Sequence, residues 1–165
     1  MSAPAPRRLT RSAEETEGLG ASLARALPTP TPAPAIVRLS GDLGAGKTTV
    51  ARGFLRARGF AGAVRSPTYT LLECYELGEV TVVHLDLYRL RDPAELEALG
   101  VRDLAQPGHV WLIEWPERGG ALLPEGDVLV TLCALPEGHE VRAASRSPFG
   151  ASWLAGAVEF SADRT

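Results

Sequence analysis

Residues 39–49, LSGDLGAGKTT, restrict the fold of this chain more tightly than any other stretch. Gly41, Gly46, Lys47 and Thr48 keep the G-x-x-x-x-G-K-[ST] spacing. In that spacing, glycines let successive backbone N–H groups turn inward around an anion, where a Cβ would collide. Such a loop is fed by a strand and followed by a helix whose positive N-terminal end points at the same anion. Both flanks fit: residues 36–39 read as a short apolar strand. VARGFLRARG after the loop has helical composition, with Gly59 at the C-cap position.

Sixteen of the 17 Lys plus Arg residues are arginine, which leaves Lys47 as the single lysine. A chain that uses arginine everywhere else keeps lysine where a slim ammonium fits and a planar fork does not. In a phosphate loop that ammonium bridges the β- and γ-phosphates, and the hydroxyl of Thr48 ligates Mg²⁺. A nucleoside triphosphate with Mg²⁺ is the expected ligand. A guanine-reading Asn-Lys-x-Asp element would need a second lysine, so ATP/ADP is expected over guanine nucleotides.

Two acids end apolar strands. VVHLD places Asp86 where a Walker-B acid sits, beside the phosphate loop and within reach of Mg²⁺ directly or through water; the bland reading is a surface turn cap. Glu114 ends a second apolar strand, in the crevice where open α/β sheets bind ligands. It could ligate Mg²⁺, position an attacking water, or serve structure alone. Trp115 beside it reads as a packing residue. His84, two residues before Asp86, shares its strand face and reads as a hydrogen-bonded core histidine. The polar link RSPTYT supplies Thr68 as a candidate γ-phosphate sensor, with a turn-forming role as the alternative.

The remaining pattern is α/β. Ser12 and Glu15 fit a capping box ahead of an amphipathic helix of about four turns through Leu19, Leu23, Ala26 and Leu27. The proline-rich residues 28–34 stop it as a surface connector. Residues 68–75 and 80–86 form a hairpin bent at Gly78. Asp92, Pro93 and Glu95 open a short helix that Gly100 closes. Residues 110–113 and 128–132 and a weaker piece around Val141 complete a mixed, mainly parallel sheet, and residues 147–156 close the chain as a short helix. The expected class is a P-loop NTPase-like three-layer sandwich.

A chain of 165 residues with 45% apolar content fits one domain over 1–165, with residues 1–8 and about 157–165 frayed. A net charge of −3 offers no broad basic field to DNA or a membrane, so any RNA contact must be local or shared with a partner. No apolar run reaches the roughly 18 residues of a membrane span, and no signal-peptide apolar region follows Arg7 and Arg8, so a cytoplasmic location is expected. Cys74 and Cys133 lack zinc-site spacing and are expected as reduced thiols packed as small apolar groups.

In order, LSGDLGAGKTT, SPTYTL, HLDLYRL, DPAELEALGVRDL and IEWPE closely resemble the bacterial TsaE family, the small ATPases of tRNA threonylcarbamoyladenosine synthesis. The similarity runs from about residue 16 to about residue 142. It implies an Mg²⁺-dependent ATPase, slow alone and stimulated by partners. Such an ATPase assists threonylcarbamoylation of the adenosine beside the anticodon in tRNAs that read codons starting with A. The implied partners are TsaB and TsaD, with tRNA reached through that complex. Carried over, Leu43, Gly44, Ala45, Gly46, Lys47, Thr48 and Thr49 hold the phosphates. Thr48 and Glu114 are the implied Mg²⁺ ligands, and Asp86 is the implied Walker-B acid. Lys47, Asp86 and Glu114 form the implied catalytic set. The resemblance also puts Trp115 in a mobile segment near the nucleotide and Thr16 near the base.

Two other readings stay open. HLDLYR also resembles the acid and arginine placement of some nucleoside kinases, with Asp86 as base and Arg89 as a phosphate clamp, although no arginine-rich lid segment follows. A nucleotide-gated interaction module without meaningful hydrolysis would carry the same phosphate loop.

Overall fold

The computed structural model describes residues 5–160. Its elements are β1 (Arg7–Thr10), α1 (Ala13–Ala26), β2 (Ala35–Ser40), α2 (Lys47–Ala57), β3 (Leu72–Leu77), β4 (Val80–Asp86), α3 (Ala94–Ala98), β5 (His109–Glu114), β6 (Val128–Leu135), β7 (Gly138–Ser145) and α4 (Pro148–Gly156). Short 3₁₀ turns cover Val101–Leu104, Pro116–Leu122 and Val158–Phe160. No helix among the described residues is long and apolar enough to cross a membrane.

The strands form one mixed sheet in the order β1-β7-β6-β2-β5-β4-β3. The central β6, β2, β5 and β4 are parallel, while β7 and β1 on one side and β3 on the other add by antiparallel pairing. Strand alternation divides the apolar residues between two faces. Val37, Leu39, Val82, Val110, Leu112, Val130 and Leu132 pack with α1, α2 and α4. Ile36, Val83, Leu85, Trp111 and Ile113 pack with Leu96 of α3 and Val101 on the opposite face. Helices on both faces give the three-layer α/β sandwich expected of a phosphate-loop chain.

This alternation also aims the acids. His84 and Asp86 continue the row of Val80 and Val82, and Glu114 continues that of Val110 and Leu112, so all three face the α2 side. Asp86 and Glu114 are register partners at the carboxyl ends of adjacent parallel strands. The loop between β2 and α2 opens at the same end of the sheet, in the crevice where α/β sheets bind ligands.

Caps read from sequence form with small shifts. Ser12 Oγ accepts the Glu15 N–H at 3.1 Å, but Glu15 Oε2 reaches back to the Arg11 N–H at 2.8 Å, one residue before the expected Ser12. Asp92 Oδ1 accepts the Ala94 N–H at 2.9 Å, and Glu95 Oε1 accepts from Asp92 N at 3.1 Å. Gly100 follows α3 in the left-handed conformation with φ 73°. A further cap, not singled out in the sequence, is Ser147, whose Oγ accepts the Gly150 N–H at 2.9 Å ahead of α4.

Other expectations are corrected. Arg7 and Arg8, assigned to a frayed end, lie in β1, whose single aliphatic residue gives no local strand signal; pairing with β7 creates it. At the other end, Ala157 and Phe160 are buried in the α1 and α4 core, so the chain stays packed to residue 160; residues 161–165 lie outside the described residues. Residues 68–71 are a turn, with Leu71 at φ 64° and its N–H bonded to Pro67 O, so β3 starts at Leu72. The piece around Val141 is a full strand of eight residues, with Val141 and Ala143 buried and their neighbours outward. Cys74 and Cys133 are free but exposed, because each sits at an outward position of its strand.

Helices α1 and α2 meet backbone to backbone. A Cβ on Gly53 would lie 1.9 Å from Glu17 O, and one on Gly20 would lie 2.0 Å from Val50 O, so only glycine permits this approach. Gly18, also in α1, has nothing within 4 Å of its Cβ position. Gly53→Ala is expected to lower unfolding free energy by about 1–3 kcal/mol through overpacking. Gly18→Ala is expected to raise it by about 0.4–1 kcal/mol through the unfolded state. Urea unfolding of the two variants checks this contrast.

Candidate functional site

The loop turns into α2 at Gly46, whose φ of 105° excludes an ordinary side chain, and Gly41 has a φ of 153° with Leu132 O only 2.4 Å from where its Cβ would stand. The first helical residue is Lys47, 5% exposed. Its Nζ donates to Gly41 O at 2.5 Å and Asp42 O at 2.7 Å, and lies 4.3 Å from the Trp115 ring centroid. The ammonium is thus held at the loop mouth by carbonyls and an aromatic face.

Thr48 follows on the first turn of α2 and donates through Oγ1 to Glu114 Oε1 at 2.8 Å. The other Glu114 oxygen, Oε2, lies 2.6 Å from His84 Nε2. Asp86 is held from three sides. Its Oδ1 accepts the Tyr88 N–H at 3.0 Å in an Asx turn, while Oδ2 meets the hydroxyls of Ser66 and Thr68. Asp86 and Glu114 are both buried, yet their carboxylates open on one cleft of about 380 Å³, which is within the ordinary size of a small-molecule site.

Leu43, Gly44, Gly46, Lys47, Thr48 and Thr49 line this cleft together with Thr68, Asp86, Glu114 and Trp115. Two expected residues lie elsewhere. Ala45 is buried behind the loop at 1% exposure, where its side chain props the bend. Thr16 is buried in α1, bonded to Thr10 Oγ1 at 2.7 Å and to Ser12 O at 3.2 Å; its methyl group approaches the back of Gly46 without lining the cleft.

Ser66 and Tyr88 join the lining without having been singled out from sequence. Ser66 stood inside RSPTYT, where four hydroxyl residues compete and only the fold selects the one nearest Asp86. Tyr88 stood two residues after Asp86, the position an Asx turn brings back. Its ring packs on Trp115 with centroids 4.9 Å apart. Trp115, which lines the cleft, has φ 57°, and Leu71, whose carbonyl accepts the Asp86 N–H at 3.0 Å, has φ 64°, left-handed values that cost a non-glycine residue energy.

The donor set fits a hard cation. Thr48 Oγ1, Glu114 Oε1 and the neighbouring Asp86 offer oxygens only, in the number that Mg²⁺ takes when a polyphosphate and water supply the rest. Among the described residues no group of three or more His, Cys, Asp or Glu could hold a metal alone.

Burial lowers the Lys47 pKa below its ordinary 10.5, and the Glu114 and Asp86 carboxylates oppose this without cancelling it. Between the lowered folded value and 10.5 the unfolded chain binds the extra proton. The burial penalty, fully present below that window, is therefore relieved as pH rises through it. Cys74 and Tyr75, both raised by burial, act in the opposite sense but are common to wild type and variant. The stability of wild type relative to Lys47→Met should therefore grow as pH approaches 10.5. Paired urea midpoints across that range check the sign.

Comparison with known proteins places this geometry in a family. The family described as threonylcarbamoyl adenosine biosynthesis protein TsaE matches residues 10–142. The tRNA threonylcarbamoyladenosine biosynthesis protein TsaE of Haemophilus influenzae is 45% identical over 115 residues, 70% of this chain and 73% of that protein. The protein of that name from Treponema pallidum is 35% identical over 131 residues, 79% and 93% of the two chains. The one from Bacillus subtilis is 37% identical over 116 residues, 70% of each. The crystal structure of Bacillus subtilis YdiB shares the fold with a TM-score of 0.71 over 92% of this chain and 93% of that one, at 24% identity. By its sequence along most of its length, and with a fold to match, the chain belongs to the TsaE family.

Proposed function

We propose that this protein is a cytoplasmic, Mg²⁺-dependent ATPase that serves the formation of threonylcarbamoyladenosine in tRNA, acting on a TsaB–TsaD pair. The observation that carries the reading is the convergence of Lys47, Thr48, Asp86 and Glu114 at the N-terminus of α2. Family membership supports the tRNA modification step. The convergence supports the chemistry.

Each residue has a role that its position suits. The loop N–H groups and the positive end of α2 bind phosphate oxygens. Lys47 exchanges the carbonyls of Gly41 and Asp42 for the β- and γ-phosphates. Thr48 and Glu114 would hold Mg²⁺, with Asp86 beside them. Bound there, the ion would neutralise charge on the triphosphate and its leaving group. Asp86, fixed by Tyr88 N and the hydroxyls of Ser66 and Thr68, orients a nucleophilic water, and those hydroxyls give the γ-phosphate a means of altering the 66–71 turn. Tyr88 and Trp115 wall the cleft and exclude bulk water from the reacting end.

The nucleoside kinase alternative needs Arg89 at the phosphates. Its guanidinium instead lies 4.6 Å from the centroid of the exposed Tyr69 ring and does not line the cleft. The interaction-module alternative differs only in turnover.

Calorimetry with ATP in millimolar magnesium should give binding to wild type. The Lys47→Ala variant should be weakened about 10–100-fold, the loss of a charged hydrogen bond worth about 1.5–3 kcal/mol. In a reconstituted reaction, TsaB, TsaD and tRNA should accelerate phosphate release by wild type, and Lys47→Ala should not support repeated rounds of modification. Full-rate modification with that variant would sink the ATPase mechanism. Unaccelerated phosphate release would favour the interaction module.

A further inference from the structure

We infer that His84 is a positioning residue for the Glu114 carboxylate, holding it so that Oε1 is presented to Thr48 and to the cation end of the cleft. The inference rests on the magnesium-nucleotide reading above and assigns a task to a residue outside the cleft lining.

His84 has 0% exposure and stands in a row otherwise made of Val80, Val82 and Asp86. An aliphatic residue would fill that place without bringing a polar ring into the core, whose burial costs energy unless it is hydrogen-bonded. Among the described residues the ring has one hydrogen-bond partner. Nε2 lies 2.6 Å from Glu114 Oε2, and Nδ1 is buried with no hydrogen-bond partner. A carboxylate oxygen only accepts, so Nε2–H is the donor of this bond.

Sheet register explains why a histidine reaches. His84 stands opposite Leu112, and Glu114 is two residues further along β5 on the same face, so the imidazole spans the diagonal between strands. Directly opposite Glu114 is Asp86. Two carboxylates in register on one face repel and would turn apart. A donor on Oε2 draws Glu114 to the core side, and Thr48 occupies Oε1. Bonds at both oxygens leave the carboxylate one orientation, as outer partners of metal-binding carboxylates do.

The test uses two polar substitutions of different reach. In His84→Gln the amide N–H can extend to about the place of Nε2. In His84→Asn it stops near the place of Nδ1, short of Glu114. ATP affinity is measured by calorimetry with magnesium and with magnesium chelated, and the gain due to magnesium is compared. His84→Asn should lose about tenfold or more of that gain, in the range found for outer partners of metal ligands. Its metal-free ATP affinity should stay within about twofold of wild type on the same scale. His84→Gln should recover most of the gain. Melting temperatures of both variants should fall together, because each buries an amide in the same core position.

A full magnesium gain in His84→Asn would overturn the inference. So would equal losses in both variants, or equal losses with and without magnesium, since each marks a packing role only. A wild-type protein that binds ATP without any magnesium gain would overturn the inference but leave nucleotide binding standing. Absence of ATP binding by wild type would overturn the proposed function itself.

Discussion

The Glu114 carboxylate ties three elements together at one point. One oxygen accepts from Thr48 on the first turn of α2, the other is held by His84 of β4, and the residue itself ends β5. A buried carboxylate stays in place only when its oxygens are hydrogen-bonded, because desolvation would otherwise dominate. These two bonds set how α2 begins relative to the ends of the parallel strands. Everything in the cleft is measured from that start, including the loop that curls in front of it and the lysine that opens it.

The scaffold behind the site is rigid for a separate reason. Gly20 and Gly53 let α1 and α2 touch along their backbones, and Trp153 of α4 donates its indole N–H to Leu23 O of α1 at 2.8 Å. Asp127 accepts the Ile36 N–H at 2.8 Å and the Ser147 hydroxyl at 2.6 Å, joining the entry of β2 to the cap of α4. The segments that face the cleft are built differently. Leu71, at the end of the 68–71 turn, and Trp115 carry left-handed backbone, which costs a non-glycine residue energy. A firm sheet with strained residues near its carboxyl edge suits the nucleotide-responsive role proposed above.

Much of this was legible in the chain. The spacing of Gly41, Gly46, Lys47 and Thr48 dictated strand, loop and helix, because few backbones other than a glycine-rich bend into a helix can surround an anion with N–H groups. Near-continuous apolar runs in VTVVHLD and HVWLIE marked two buried strands and put Asp86 and Glu114 at their ends. Capping residues Ser12 and Asp92 marked helix starts to within a residue or so. What stayed hidden was non-local. Strand β1 exists through its antiparallel partner β7, and β7 has only one buried row to announce it. Cys74 and Cys133 were read as core by residue type, but strand parity and an outward face overruled that preference.

The sequence alone determined the phosphate loop, the strand-end acids and the helix caps, since each depends on residues within a few positions of one another. Tertiary structure alone decided that Ser66 and Tyr88 join Asp86, that His84 reaches Glu114, and that Thr16 supports the loop from behind while remaining outside the cleft. Those pairings join residues on different elements, or turn a chain segment back on itself. Their distances follow from strand register and helix packing, quantities that no local pattern of side chains encodes.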